Sequence, residues 1–298
     1  MKHKTMRIGI LTRNQNLYSM RRMKLEARKI GMQCDMINPL SCQLIIDGDR
    51  SRVMLGSKAL LDYDAILPRI GASITEYGLS VVKHFEMLGV VTINRSQAIA
   101  ESRNKMRSLQ VLTEAGILVP STVLTRSTRR LRGAVDAVKG LPVVLKILQG
   151  TQGIGVMLVH TPISLGSVLD TLRTLDQDVI IQQFIAEGAG SDYRAFVVGD
   201  KVVAAMMRTA PRGEFRSNIH RGGQGNVIKL PPHYQKTAIK AAKVLGLEIA
   251  GVDLMESNQG PLVIEVNSSP GFEGIEKATG LNIAASIAKH VKKIIRQS

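Results

Sequence analysis

The chain has 298 residues, 44% of them hydrophobic and 21% charged, with 40 Lys and Arg against 24 Asp and Glu for a formal net charge of +16. At about 100–200 residues per domain this length allows two or three modules, and the composition excludes a disordered chain. No apolar run approaches the roughly 18 residues of a membrane span, the stretch Ile8-Gly9-Ile10-Leu11 is too short for a signal-peptide core, and Cys34 and Cys42 lack any CxxC or Cys/His company. A cytoplasmic protein with no membrane association, no disulfide framework and no structural zinc is expected.

The excess charge steers anions whatever the fold. Residues 1–60 hold twelve Lys and Arg against four acids, and Arg126 to Arg132 and Lys289 to Arg296 form two further basic clusters. With aromatics at 3% and no Trp, stacking platforms for single-stranded nucleic acid are scarce. An acidic ligand or partner competes with a plain solvated surface as the reading of this charge.

In chain order, Arg7 to Thr12 reads as a strand, Met20 to Ile30 as a basic amphipathic helix, Gln33 to Ile37 and Ala65 to Pro68 as strands, and Thr75 to Leu88 as a helix. This rhythm predicts a small, mostly parallel α/β domain over residues 1–103. The pattern then changes. A helix over Asn104 to Ala115 is stopped by Gly116 and Pro120, a helix follows around Leu131 to Lys139, and Pro142 to Leu148 is a strand that leads into glycines. Further strands are expected over Ile180 to Ile185, Arg194 to Val198 and Lys201 to Met207, the last two joined by a Gly199-Asp200 hairpin. Module boundaries are therefore placed to give 1–103, 104–183 and 184–298.

Three constellations carry chemistry. Lys146, set among apolar strand residues, is costly to bury unless an anion meets it, and Gly150-Thr-Gln-Gly153-Ile-Gly155 offers backbone N–H groups to the same anion. The string is neither a Walker A loop nor a dinucleotide fingerprint. Asp253, Glu265 and Asn267 are hard oxygen donors that suit Mg²⁺ or Mn²⁺ bridging to phosphates. Glu265 and Asn267 share a strand face, and the turn around Asn258-Gln259-Gly260 decides whether Asp253 joins them: a three-residue loop pairs 253 with 265, a two-residue turn sends Asp253 to the opposite face. Arg208 to Gly223, with four Arg and three Gly, reads as a loop presenting forked donors. No nucleophile with a neighbouring base is recognisable.

Together, Lys146-x3-Gly150 to Gly155, Phe215-Arg-Ser-Asn-Ile-His-Arg-Gly-Gly223 and Val252-Asp253 … Glu265-Val-Asn267-Ser-Ser-Pro-Gly271 resemble the ATP-grasp carboxylate–amine ligases, specifically the RimK-type glutamate ligases. The likeness extends through Pro39-Leu-Ser-Cys42, Pro68-Arg-Ile-Gly71, Phe85-Glu-Met-Leu-Gly89 and Gly274-Ile-Glu-Lys277. It implies an ATP-grasp fold of mixed α/β modules behind a parallel-sheet pre-ATP-grasp domain. Lys105 and Lys146 match the family's phosphate-contacting lysines, Gly153 its lid, Gln183 and Phe184 its adenine strand, Asp192 a nucleotide-binding position, and Arg216, Ser217 and Asn218 its nucleotide-proximal loop. Asp253, Glu265 and Asn267 match its metal ligands, for two ions of magnesium or manganese.

Gln183 stands where the family commonly has Glu. Gly251 stands where the more distant D-alanine ligases carry arginine, so Arg208 or Arg216 is expected to supply that charge in catalysis. The resemblance further implies L-glutamate and ATP as substrates, an acyl phosphate intermediate, the acidic C-terminal tail of small-subunit ribosomal protein number six as acceptor, and a homo-oligomer with no requirement for direct nucleic-acid binding. A glutamate ligase acting on a small cofactor or carrier protein, and a non-catalytic basic RNA- or ribosome-binding protein, remain as alternatives.

Overall fold

The structure, a computed structural model, describes residues 5–126, 131–148, 155–212, 214–217 and 223–298. The first strands and helix are β1 (Arg7–Leu11), α1 (Tyr18–Lys29) and β2 (Gln33–Ile37), followed by three short strands, β3 (Cys42–Ile45), β4 (Arg52–Leu55) and β5 (Lys58–Ala59). Then come β6 (Ala65–Pro68), α2 (Thr75–Met87), β7 (Val91–Thr92) and α3 (Ser96–Arg103). β1, β2, β6 and β7 form a parallel sheet in the order β2-β1-β6-β7, as the alternation of strand and helix signals requires. The antiparallel β3-β4-β5 sheet is an addition that the sequence pattern does not announce.

α4 (Lys105–Glu114), capped by the Asn104 side chain accepting from the Arg107 N–H, leads into β8 (Thr122–Leu124), α5 (Leu131–Ala137), β9 (Val143–Ile147), β10 (Val156–Val159), α6 (Pro162–Thr174) and β11 (Val179–Gln183). These strands form an antiparallel sheet, β10-β9-β11-β8. Val143 and Leu145 pack under the helices with Leu165 and Ile181, which turns Val144 and Lys146 to the opposite face. The basic cluster from Arg126 and the Gly150–Gly155 string fall largely outside the described residues. Gly155 is described. It has φ +72°, and a Cβ there would lie 1.9 Å from Ile147 Cγ1, so only glycine fits the start of β10.

A fourth sheet is built from β12 (Ser191–Val198), β13 (Lys201–Thr209), β14 (Gln224–Val227), β15 (Ile249–Met255) and β16 (Leu262–Asn267), in the order β14-β13-β12-β15-β16. α7 (Pro232–Val244) covers one face with Tyr234, Ala238, Ala241 and Ala242. The other face meets α8 (Glu273–Thr279) and α9 (Ile283–Gln297), whose apolar stripe Ile283, Ile287 and Val291 recurs at helical spacing. On this side Phe196, Val198, Ile249 and Phe272 share one core with Ile8, Ile10 and Met23 of the first module. Phe272 bridges the two modules, edge-on to Phe196 at 6.0 Å and to Tyr18 at 6.3 Å. The buried Glu276 joins the same seam, accepting from Tyr18 Oη at 2.7 Å and the Ala284 N–H at 3.1 Å. The sheet that carries the metal candidates thus shares an apolar core with the parallel sheet.

Candidate active site

Between the β8–β11 sheet and the β12–β16 sheet lies a cleft, roofed by α4 and walled on the apolar side by Leu112, Val144, Val156 and Ile180. Lys105, Lys146, Asp192, Arg208, Asp253 and Glu265 line its polar end, and Gln183, Phe184, Arg216 and Ser217 line the remainder. The residues singled out from the sequence therefore converge. Gly153 and Asn218 lie outside the described residues.

The turn between β15 and β16 is the two-residue kind: Leu254 pairs with Val263, Met255 with Leu262, and the Gly260 N–H donates to Ser257 O at 3.0 Å. By turn geometry alone Asp253 would point away from Glu265. A bulge at Ile264 of β16, which is left unpaired between Val263 and Glu265, resets the register, so Asp253 faces Glu265 and Gly251 faces Asn267. Val263 and Val266, three apart, consequently both face α7. The three oxygen donors share a face, although the turn is the two-residue alternative, because the bulge restores the pairing of 253 with 265. Asn267 Oδ1 accepts the Ser269 N–H at 2.9 Å, which fixes its side chain at the head of the following turn.

Asp253 is held by two guanidiniums. Arg194, its cross-strand partner on β12, donates to Asp253 Oδ1 through Nε and to Oδ2 through Nη2 at 2.6 Å, and Arg208 Nη2 lies 2.9 Å from the same Oδ2. Arg208 also grips Asp192 with its Nε 2.7 Å from Oδ1 and its Nη2 on Oδ2. The result is a buried row of alternating charge. Burial raises the Asp192 carboxyl above its ordinary range in spite of Arg208. For Asp253 burial pushes the same way, but Arg194 and Arg208 outweigh it and hold the carboxyl below its usual range.

Arg194 is the functional candidate that sequence reasoning missed. Its signal was available: Asp192 and Arg194, two apart on one strand, must share a face. Its side chain passes over Gly251, where a Cβ would lie 3.5 Å from Arg194 Cδ and only 2.8 Å from Pro270 Cβ. Glycine at 251 therefore makes room for Pro270, and Arg194 crosses it at ordinary van der Waals distance to deliver a guanidinium from the neighbouring strand. Arg216 donates to Glu214 through Nε at 2.9 Å and Nη2 at 2.6 Å, holding that carboxyl down at about 2, and its Nη1 reaches Val156 O of β10 at 3.2 Å. Gln183 is tied to the β8 side, its N–H on Ser121 O at 2.8 Å and its Oε1 3.5 Å from the Ser121 N–H.

At the polar end, burial depresses the Lys146 ammonium to about 8, with Lys105 adding to the effect and Glu265 opposing it. Lys105, whose Nζ lies 3.4 Å from Leu148 O, is depressed by burial too. A protonated Lys146 is the form that attracts phosphate. Nucleotide affinity is therefore expected to hold steady below pH 8 and then fall by up to about tenfold per pH unit, because binding must first protonate the amine. Calorimetric titration of ADP between pH 7 and 10 checks this; a flat profile in the unaltered protein, or a fall that persists in Lys146→Arg, would refute it.

The metal-candidate donors are two carboxylates and an amide, and among the described residues no group of three His, Cys, Asp or Glu converges elsewhere. Hard oxygens on one face, beside two lysines, fit a divalent cation shared with phosphates.

A nucleotide slot between two antiparallel sheets, with acidic strand residues at its polar end, defines an ATP-grasp enzyme. Residues 6–99 match the RimK PreATP-grasp domain and residues 102–291 the RimK-like ATP-grasp domain, so the chain belongs to the RimK family. It is an ATP-dependent ligase that forms amide bonds. The probable alpha-L-glutamate ligase 2 of Pseudoalteromonas atlantica is 49% identical over 97% of this chain and 96% of its own length. The probable alpha-L-glutamate ligase of Aliivibrio fischeri is 48% identical over the same shares. Among solved structures, the RimK domain protein of Sphaerobacter thermophilus shares the fold, with a TM-score of 0.73 at 22% identity over 95% of this chain and 98% of that one.

Proposed function

We propose that the protein joins the amino group of L-glutamate to a C-terminal carboxylate of an acidic acceptor, namely the tail of small-subunit ribosomal protein number six, using ATP. The observation that carries this reading is the convergence of Lys105, Lys146, Asp253, Glu265 and Arg208 at one end of an apolar slot. Residues 104–183 and 184–298 act as the two halves of the nucleotide clamp, and residues 1–103 as the module that approaches its polar end.

Leu112, Val144, Val156 and Ile180 offer an adenine-sized apolar wall, with Gln183 and Phe184 at its edge, and Asp192, Ser217 and Asn218 serve as further nucleotide contacts. Lys105 and Lys146 hold phosphate oxygens. Asp253, Glu265 and Asn267 would hold magnesium or manganese, two ions in all, which when bound neutralises the phosphates. An acceptor carboxylate oxygen attacks the γ-phosphorus, the bond to the β-phosphate oxygen breaks, and ADP leaves an acyl phosphate behind. The glutamate amine attacks the acyl carbon, the carbon–oxygen bond breaks, and phosphate departs with the amine proton. Arg208 and Arg216 act on the charge that develops at the phosphoryl oxygens, Arg194 beside them. No protein nucleophile takes part.

Mass spectrometry of the acceptor after incubation with MgATP and glutamate tests this: growth in glutamate-sized steps, with one ADP per step, is expected. Growth of a small cofactor or carrier protein in place of the ribosomal tail would move the acceptor. Glutamate-independent ATP turnover with no product would end the ligase reading.

A further inference from the structure

Among the described residues four buried side-chain polar atoms lack a hydrogen-bond partner: Arg69 Nε, Ser268 Oγ, Ser269 Oγ and His84 Nε2. Three of these four belong to one junction. Arg69 follows β6, at the carboxyl edge of the parallel sheet, and its Nη2 donates to Pro270 O; Ser268 and Ser269 follow the metal candidate Asn267. An enclosed donor or hydroxyl left without a partner is unfavourable, so three in one place mark a junction that something completes.

The charge balance says what. No carboxylate lies within ion-pair distance of Arg69 among the described residues, and burial alone pushes its guanidinium down to about 10 with no acid to offset it. Arg103 sits behind it in the same condition. Its Nη1 reaches Gly71 O at 3.1 Å and Thr75 Oγ1 at 2.6 Å, its Nη2 reaches Ile70 O, and every acceptor is neutral. Arg13 joins at the rim, with Nη1 2.9 Å from Ser73 Oγ. Three guanidiniums thus surround the turn after β6 without a counter-anion among the described residues, whereas on the neighbouring sheet Arg194 has Asp253 and Arg208 has both Asp192 and Asp253. A fork-shaped cation beside free hydroxyls is the donor set that suits a carboxylate.

We propose that Arg69 and Ser269, with Arg103 behind them, form a subsite for a carboxylate of the acidic substrate, held at the seam between the parallel sheet and the metal-candidate turn. The inference rests on the ligase reading above and deepens it. From Asn267 to Pro270 is three residues, at most about 11 Å of chain, so a substrate anchored at Arg69 is one short turn from the phosphates. The ligand chemistry is shared by free glutamate and by the terminal residue of an acidic acceptor peptide, and the measurement separates the two.

The full-length protein, loaded with a non-hydrolysable ATP analogue and magnesium, is titrated with L-glutamate and separately with a tri-glutamate peptide. Arg69→Gln is expected to weaken one or both by about tenfold or more, Arg69→Lys by less, and Ser269→Ala by about two- to tenfold. Weakening confined to glutamate assigns the subsite to the incoming amino acid, and weakening confined to the peptide assigns it to the acceptor. Undiminished binding of both ligands in Arg69→Gln and Ser269→Ala overturns the subsite alone. So does a loss shared equally with the nucleotide, which would signal a disturbed seam. Failure of the unaltered protein to bind either ligand overturns the ligase reading, and the subsite with it.

Discussion

Asp253→Asn is expected to reduce MgATP turnover by more than about a hundredfold and to destabilise the fold as well. The two losses have separate causes. Turnover falls because the amide removes one anionic oxygen from the set shared with Glu265 and Asn267, where charge on the phosphates must be met. Stability falls because Arg194 and Arg208, both substantially buried, lose the carboxylate they share. Breaking a buried ion pair from one side costs about 3–5 kcal/mol. Glu265→Gln makes the contrast: Glu265 is exposed to the cleft, so its replacement should cost turnover while moving stability by no more than about 0.5 kcal/mol. Denaturant melts and an assay held well below both transitions separate the effects. A folded Asp253→Asn variant with full MgATP turnover would remove Asp253 from the metal set, and a Glu265→Gln variant as unstable as Asp253→Asn would mean that the cleft face is structural.

How much of this site was legible beforehand depends on the range of the interaction that builds it. Lys146, Asp253, Glu265 and Asn267 stand out because each is a polar residue inside an apolar strand, a conflict visible locally. The parallel sheet and α9 follow from periodicity. Arg194 was legible in principle from its spacing to Asp192, but its partner Asp253 lies 59 residues away, and strand alternation does not say which strands are neighbours. The bulge at Ile264 is harder still. Nothing in Leu262 to Asn267 demands it; it is imposed because Val263 and Val266 must both meet α7 while Glu265 faces the cleft. The β3–β5 sheet escaped because strands of two to four residues are too short to carry a pattern. Arg69 is visible in the sequence within Pro68-Arg-Ile-Gly71. Its isolation from acids is a property of three chain segments that meet.

Asn94→Ala is the second change with a large expected effect, and it acts through that same meeting of segments. Asn94 is 2% exposed, and its side chain makes four hydrogen bonds to the β12–β16 module. Nδ2 donates to Ile249 O at 2.7 Å and to Ser268 O at 2.9 Å, while Oδ1 accepts the Glu248 N–H at 2.7 Å and the Ile249 N–H at 3.0 Å. It thereby clamps the start of β15, the strand that carries Asp253, to the residue after Asn267. Truncation leaves enclosed backbone groups without partners and is expected to cost about 3–5 kcal/mol. Asn94→Asp should do no better, because a carboxylate turned toward two carbonyl oxygens replaces donation by repulsion. In the fraction that stays folded, substrate carboxylate affinity should fall more than nucleotide affinity, since Ser268 adjoins the Arg69 junction and the apolar nucleotide wall lies on the other sheet. Chemical denaturation together with paired titrations of nucleotide and glutamate reads both effects. A stability loss below about 1 kcal/mol would show that the two modules are held by the shared apolar core around Phe272 and Phe196, with Asn94 only bridging a gap between them.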